Sequence, residues 1–350
     1  MNDTISLTPV VKLTRDALKA LNGGQVPAGG DGIPQVAGDA SRETARSLVD
    51  LYYRMQDERK ALANQAGAIE RGVDTGGSQW IEYTLRQIET LEANAAMFLE
   101  TYAWSHPMGP WLQAVHGIGP VLAAGLLAHL TLQPTVGHWW RFAGLDPHQK
   151  WLGAEKLRPE WDKLDGDIET RARILAGIVG RNPDTVLRDA TTDFRTGEVK
   201  KLTKDGALKA LARIPFNRPL KTLCWKIGDS FVKLGSREDA YYARYYRQRK
   251  AEEVARNMRG DRAELAARTL AEKPTHAQRA IYAEGRLPDG RVDLMARRAT
   301  VKLFLSHFHE MWWRIAHGTA PPKPFSIAVL GHGHYLPPPY THVFGVSDAA

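Results

Sequence analysis

Residues 117–120 read Gly-Ile-Gly-Pro, an order suited to holding an anion with backbone amides. Glycine at both turn positions, Gly117 and Gly119, permits positive φ and close approach by another backbone. Pro120 at the first position of the next helix loses nothing, because that amide has no helical partner in any case. The free amides of the loop and first turn then point outward, where they favour a phosphate. Such a contact positions a nucleic acid without reading its sequence. The competing reading is a plain αα-hairpin with a Gly-rich turn, in which Ile118 and its neighbours only pack.

Cations that would accompany a phosphate cradle lie further along the chain. In one predicted helix Leu220, Leu223, Ile227 and Phe231 make a core stripe, and Arg218, Lys221 and Lys226 fall largely off it. In the next, Arg244 and Arg247 interleave with Tyr241, Tyr242, Tyr245 and Tyr246, a pattern that suits phosphate contact plus stacking on an unpaired base. The alternative is a helix pair whose tyrosines are core and whose arginines are merely solvated. Charge is unevenly placed: residues 1–105 hold 10 Lys+Arg against 14 Asp+Glu, and residues 106–350 hold 37 against 25. The basic part is the part with the hairpin, so a polyanion partner is expected there.

Other chemistry has fewer carriers. Cys224, the single cysteine, sits on the apolar face of its predicted helix, where a thiol is usually inert, and it excludes paired-cysteine zinc sites and internal disulfides. His307 and His309, with His332 and His334 in the tail, would ligate a metal only if the tail folds back; positions two apart diverge on a helix. Asp162, Asp165, Asp167 and Glu169 form a cluster that reads better as a solvated face than as a metal site. No nucleotide-binding glycine motif has the strand and lysine context it needs. A divalent metal is the one cofactor this leaves open.

These residues need elements to place them, and the periodicity predicts a mainly α protein. Residues 1–40 read as a flexible segment, with a short helix around Leu13, Ala17 and Leu21 and a Gly/Pro-rich linker at 22–40. Ser41 reads as the N-cap of a helix to about Arg71 with Leu48, Tyr52 and Met55 on its apolar face. After a turn at Val73–Ser78, a second helix spans roughly Gln79–Trp104 with Ile81, Leu85, Ile88, Leu91, Ala95, Phe98 and Tyr102 inward. Residues 41–105 thus form a long helical hairpin or coiled-coil-like arm, either scaffold or homo-oligomer contact. Residues 106–320 follow as a compact helical domain containing a helix-hairpin-helix, closed by a helix at Leu294–His317. A Pro/His-rich tail occupies 321–350, with one short strand near Phe325–Leu330. No run approaches the ~20 apolar residues of a membrane helix and no signal-peptide pattern is present, so a cytoplasmic, membrane-free protein is expected.

In order, the Gly117–Pro120 hairpin, Phe142, the Ala143–Pro147 segment (Ala-Gly-Leu-Asp-Pro), Asn217-Arg218-Pro219-Leu220-Lys221, Tyr242–Lys250 and Ala299–Leu305 resemble a known family. They are similar to the C-terminal transposase domain of the DEDD insertion-sequence transposases, the group guided by a bridge RNA. The resemblance runs discontinuously over about residues 112–318, interrupted near 153–212 and 256–292. It implies DNA as partner, with RNA as the other polyanion, and a place in the recombination of mobile elements. Two departures bear on activity. The family's RuvC-like domain, with its metal-binding carboxylates, needs alternating strands and helices, whereas residues 1–105 show a linker and two helices. The family's serine nucleophile follows the Ala-Gly-Leu-Xaa-Pro segment, yet no serine occurs between Ser105 and Ser230; Thr185, Thr191, Thr192, Thr196 and Thr203 offer hydroxyls in that stretch. The expectation is a DNA-binding protein without its own catalysis. The alternatives are an active recombinase or nuclease using an unrecognised nucleophile or partner, and an assembly protein with a non-binding hairpin.

Overall fold

A computed structural model describes residues 41–72, 78–146, 151–322, 335–339 and 341. The expected helix near Leu13, the linker at 22–40, most of the Val73–Ser78 turn, the Phe325–Leu330 strand, and His332 and His334 lie outside these residues. The fold is mainly α. Among the described residues there are fourteen helices and no strand, only an isolated antiparallel bridge between Thr192 and Val199. The chain forms two compact units: Met1–Val136 together with Leu223–Ala350, and Gly137–Thr222.

In the first unit, α1 (Arg42–Glu70) and α2 (Ser78–Ser105) pack along each other in opposite directions, with Arg59 of α1 at Glu92 of α2 and Tyr52 beside Ala96. Ser41 is the N-cap, its hydroxyl accepting the Thr44 amide at 3.1 Å, so the predicted start is correct. The predicted apolar faces hold only in part. Ala45 and Val49 are the buried residues of α1, whereas Leu48, Tyr52 and Met55 are half-covered. In α2 Ala95 and Tyr102 are buried as expected, Glu92, Leu99 and Ala103 are buried as well, and Leu91 is exposed. Glu92 lies in that seam because the Arg59 guanidinium meets its carboxylate at 2.6 Å. A charged residue in the seam shifts the apparent apolar stripe to its neighbour.

A short helix, α3 (Gly109–Ala114), leads through a turn to α4 (Pro120–His129), which packs on both α1 and α2. Val121 and every residue from Ala123 to His129 are buried, so α4 has no polar side; the one-faced pattern Val121, Ala124, Leu127, Leu130 understates it. Arg42 and Arg46 of α1 donate to the carbonyl of Ala128 and Arg42 also to that of Leu130, partnering the last carbonyls of α4. The remainder of this unit comprises most of α10 (Arg218–Lys233), α11 (Tyr241–Met258), α12 (Ala263–Glu272), α13 (Arg279–Ala283) and α14 (Asp289–His317). α11 packs on α14, and Trp111, Phe231, Tyr242, Phe304 and Phe308 interlock with ring centroids 5.0–6.3 Å apart. α14 starts five residues earlier than Leu294, because Pro288 supplies an extended N-cap and Val292 and Ala296 already face the core. Residues 335–339 return to this unit: Leu336 O meets His307 at 2.9 Å and Pro339 O accepts the Trp111 indole at 3.0 Å.

The second unit contains all but the first residue of α5 (Val136–Phe142), then α6 (Ala154–Asp162), α7 (Ile168–Ile178), α8 (Pro183–Thr191), α9 (Lys204–Leu211) and the first turn of α10. α7, α8 and α9 pack on one another around Leu157, Trp161, Leu175, Val186, Leu208 and Leu211. Asp167, Asn182 and Thr203 cap the starts of α7, α8 and α9 through their side chains.

Candidate nucleic-acid interface

The Gly-Ile-Gly-Pro turn uses its two glycines differently. Gly117 has φ +95°, and a Cβ there would lie 3.0–3.2 Å from Leu234, Ser230 and Phe231; the Ser230 hydroxyl donates to its carbonyl at 2.7 Å. Gly119 has φ −81° and ψ 175°, ordinary extended backbone, so only one of the two positions needs the left-handed region. It is exposed, caps α4 with no side chain, and a Cβ added to it would meet no atom within 4 Å. Ile118 is buried and its amide donates to Val115 O at 3.0 Å, leaving it no free donor for a ligand. Behind Gly119 the helix geometry leaves the Val121 and Leu122 amides without an intrahelical acceptor. Pro120 and Leu122 are half-covered, so the amide end of an otherwise buried helix is its accessible end.

Beside the turn stand His116, Arg237 and Asp239. His116 Nε2 is 3.2 Å from the Arg237 guanidinium and 3.5 Å from the Asp239 carboxylate. Arg237 holds the Asp239 carboxyl down to about 2, so a negative charge offsets this cation near neutral pH. Neither Arg237 nor Ser230 stood out in the sequence, because each is tied to the hairpin by a partner more than a hundred residues away.

The predicted cations are spread over both units. Lys226, in the first, places its ammonium 3.8 Å from the Tyr53 ring centroid, and partial burial lowers its pKa. Arg247 is engaged by Gly235 O and, at 2.8 Å, by Glu238, bracing the turn between α10 and α11. Arg244 is exposed, 6.0 Å from the Tyr241 ring and 3.5 Å from Glu238 O. In the second unit Lys221 sits 4.1 Å from the Phe216 ring, and Arg218 is exposed with no ion pair among the described residues. The tyrosines divide as well. Tyr242 and Tyr246 are buried and bonded to His307 and Asp293, so these two are core; Tyr241 and Tyr245 are half-covered.

Catalytic candidates are engaged in structure. Burial pushes the Cys224 thiol up to about 12, which removes the thiolate at neutral pH. Thr191 donates to Leu187 O and Thr203 caps α9. His307 Nε2–H donates to Leu336 O, with Nδ1 2.9 Å from Tyr242 Oη, and His309 Nε2–H donates to Gln133 O at 2.7 Å, so the two rings serve separate backbone segments. Asp162 pairs with Lys204, Asp167 caps α7 and Glu169 pairs with Arg173. Among the described residues no group of three or more His, Cys, Asp or Glu is placed to hold a metal, and no helix is long and apolar enough to cross a membrane. Compared with protein families, with curated proteins and with solved structures, the chain matches none.

Proposed function

We propose that the chain binds DNA, holding backbone phosphate at the first turn of α4. The observation that carries this reading is Gly119: an exposed N-cap without a side chain, in open space, at the start of a helix buried from Ala123 to His129. A phosphate oxygen there meets the positive end of the helix dipole and amides that lack acceptors. The excess of basic residues after residue 105 supports the same partner. Contacts of this kind are made to the phosphodiester backbone, so affinity follows salt more than sequence.

Titration of the protein with labelled duplex, branched and single-stranded DNA at about 50 and about 200 mM salt tests it. Duplex or branched DNA is expected to bind tightly at the lower salt and much more weakly at the higher. A flat response removes phosphate-dominated recognition. Gly119→Asp gives the sharper control: aspartate is a preferred N-cap and has room, so the fold is expected to hold or gain a few tenths of a kcal/mol. Its carboxylate occupies the place of the phosphate, so binding is expected to fall. If the variant binds as well as the parent, the hairpin only packs.

A further inference from the structure

The second unit carries a surface that the hairpin does not explain. After α8 the chain makes a tight turn fixed by the Thr192–Val199 bridge, by Asp193 N to Glu198 O at 2.9 Å, and by Lys200 N to Thr191 O at 2.6 Å. The Asp193 carboxylate also accepts the Arg195 amide at 2.9 Å and pairs with Lys200. This well-bonded turn displays Phe194, 60% exposed. The Arg213 guanidinium lies 5.0 Å from the Phe194 ring centroid, held by the Asp189 carboxylate at 3.1 Å, which is itself buried. The next residue back, Ala212, accepts the indole N–H of Trp151 at 2.8 Å, and Trp151 is 47% exposed.

Two aromatic side chains and an arginine are thus held in place with their faces in solvent, where burial has nothing to gain from them. Their surroundings are cationic. Residues 188–213 contain 7 Lys+Arg against 4 Asp+Glu, and the whole of Gly137–Thr222 contains 17 against 12. Arg195 and Lys201 are exposed with no ion pair among the described residues. Exposed aromatic faces on a segment that also carries exposed cations match an unpaired nucleobase and its phosphate, and every base offers such a face. In a duplex those faces are already stacked. A purely acidic partner would use the cations and leave Phe194 without a role.

We propose that this face of the second unit binds single-stranded nucleic acid, with bases stacking on Phe194 beside Arg213 and Trp151, and with Arg195 and Lys201 on the backbone. The proposal is independent of the hairpin reading and concerns a different unit of the chain. Fluorescence anisotropy of the full chain with an oligothymidylate, an oligouridylate and an abasic strand, each of about 20 nucleotides, tests it. The two base-bearing strands are expected to bind about tenfold more tightly than the abasic one. Phe194→Ala is expected to remove about tenfold of that affinity and Phe194→Tyr to retain it. The proposal is overturned if the abasic strand binds equally well, if Phe194→Ala with a native circular dichroism spectrum binds like the parent, or if neither base-bearing strand binds.

Discussion

At the scale of single residues, the two glycines of one turn have opposite duties. Gly117 is fixed by geometry, since its positive φ and its contacts with Leu234, Ser230 and Phe231 exclude a side chain. Gly117→Ala is therefore expected to lower the unfolding free energy by about 1–3 kcal/mol, read from urea denaturation. That the motif makes a turn and starts a helix at Pro120 was legible in the sequence. Which glycine needed the unusual backbone was not, because the answer comes from residues on α10. Cys224 gives a second expectation. With its thiol buried and raised to about 12, it is expected to stay unreactive toward a disulfide reagent in native buffer and to react once the protein is unfolded. Rapid native labelling would contradict the packing described for α10.

Among the elements, α1 and α2 were legible almost to the residue because Ser41 caps the first and both repeat apolar residues at three and four. Their buried seam was legible only in part, at Ala95 and Tyr102, since Glu92 sits in it as the partner of Arg59. Also hidden was how α4 is finished at its far end. Arginines normally read as surface, yet Arg42 and Arg46 partner the Ala128 and Leu130 carbonyls. Replacing both with alanine leaves the last turn of α4 short of donors in a largely apolar setting. The double variant is expected to lose about 1–3 kcal/mol in chemical denaturation, with half-exposure of these side chains keeping the figure modest. A change within error would mean that water serves those carbonyls equally well.

For the whole molecule, acid stability follows from three imidazoles, His129 and His307 buried and His106 half-buried. Burial lowers His106, His129 and His307 to about 4, with Arg42 adding to the effect at the first two and Arg46 at the second, against Asp50. Unfolded, each titrates near its ordinary value of about 6.5. Between those two values the unfolded chain binds more protons, so the stability present at neutral pH is lost as pH falls from about 6.5 toward about 4. Melting temperatures taken between pH 7.5 and 5 are expected to drop steadily; a flat profile would show these rings to be solvated. Helix content and the uneven charge were readable from composition and periodicity.

The path of the chain through those units has a consequence for how the protein is made. Residues 137–222 have a core of their own, and every residue of it leaves the ribosome before any of α11–α14. The first unit has to wait: Trp111 is synthesised early, while Phe304 and Phe308, which stack on it, come near the end. During that interval the surface around Trp111 lacks its partners, and the middle of the chain can already be folded. The period before α14 emerges is thus when an apolar face is most open to association with other nascent chains.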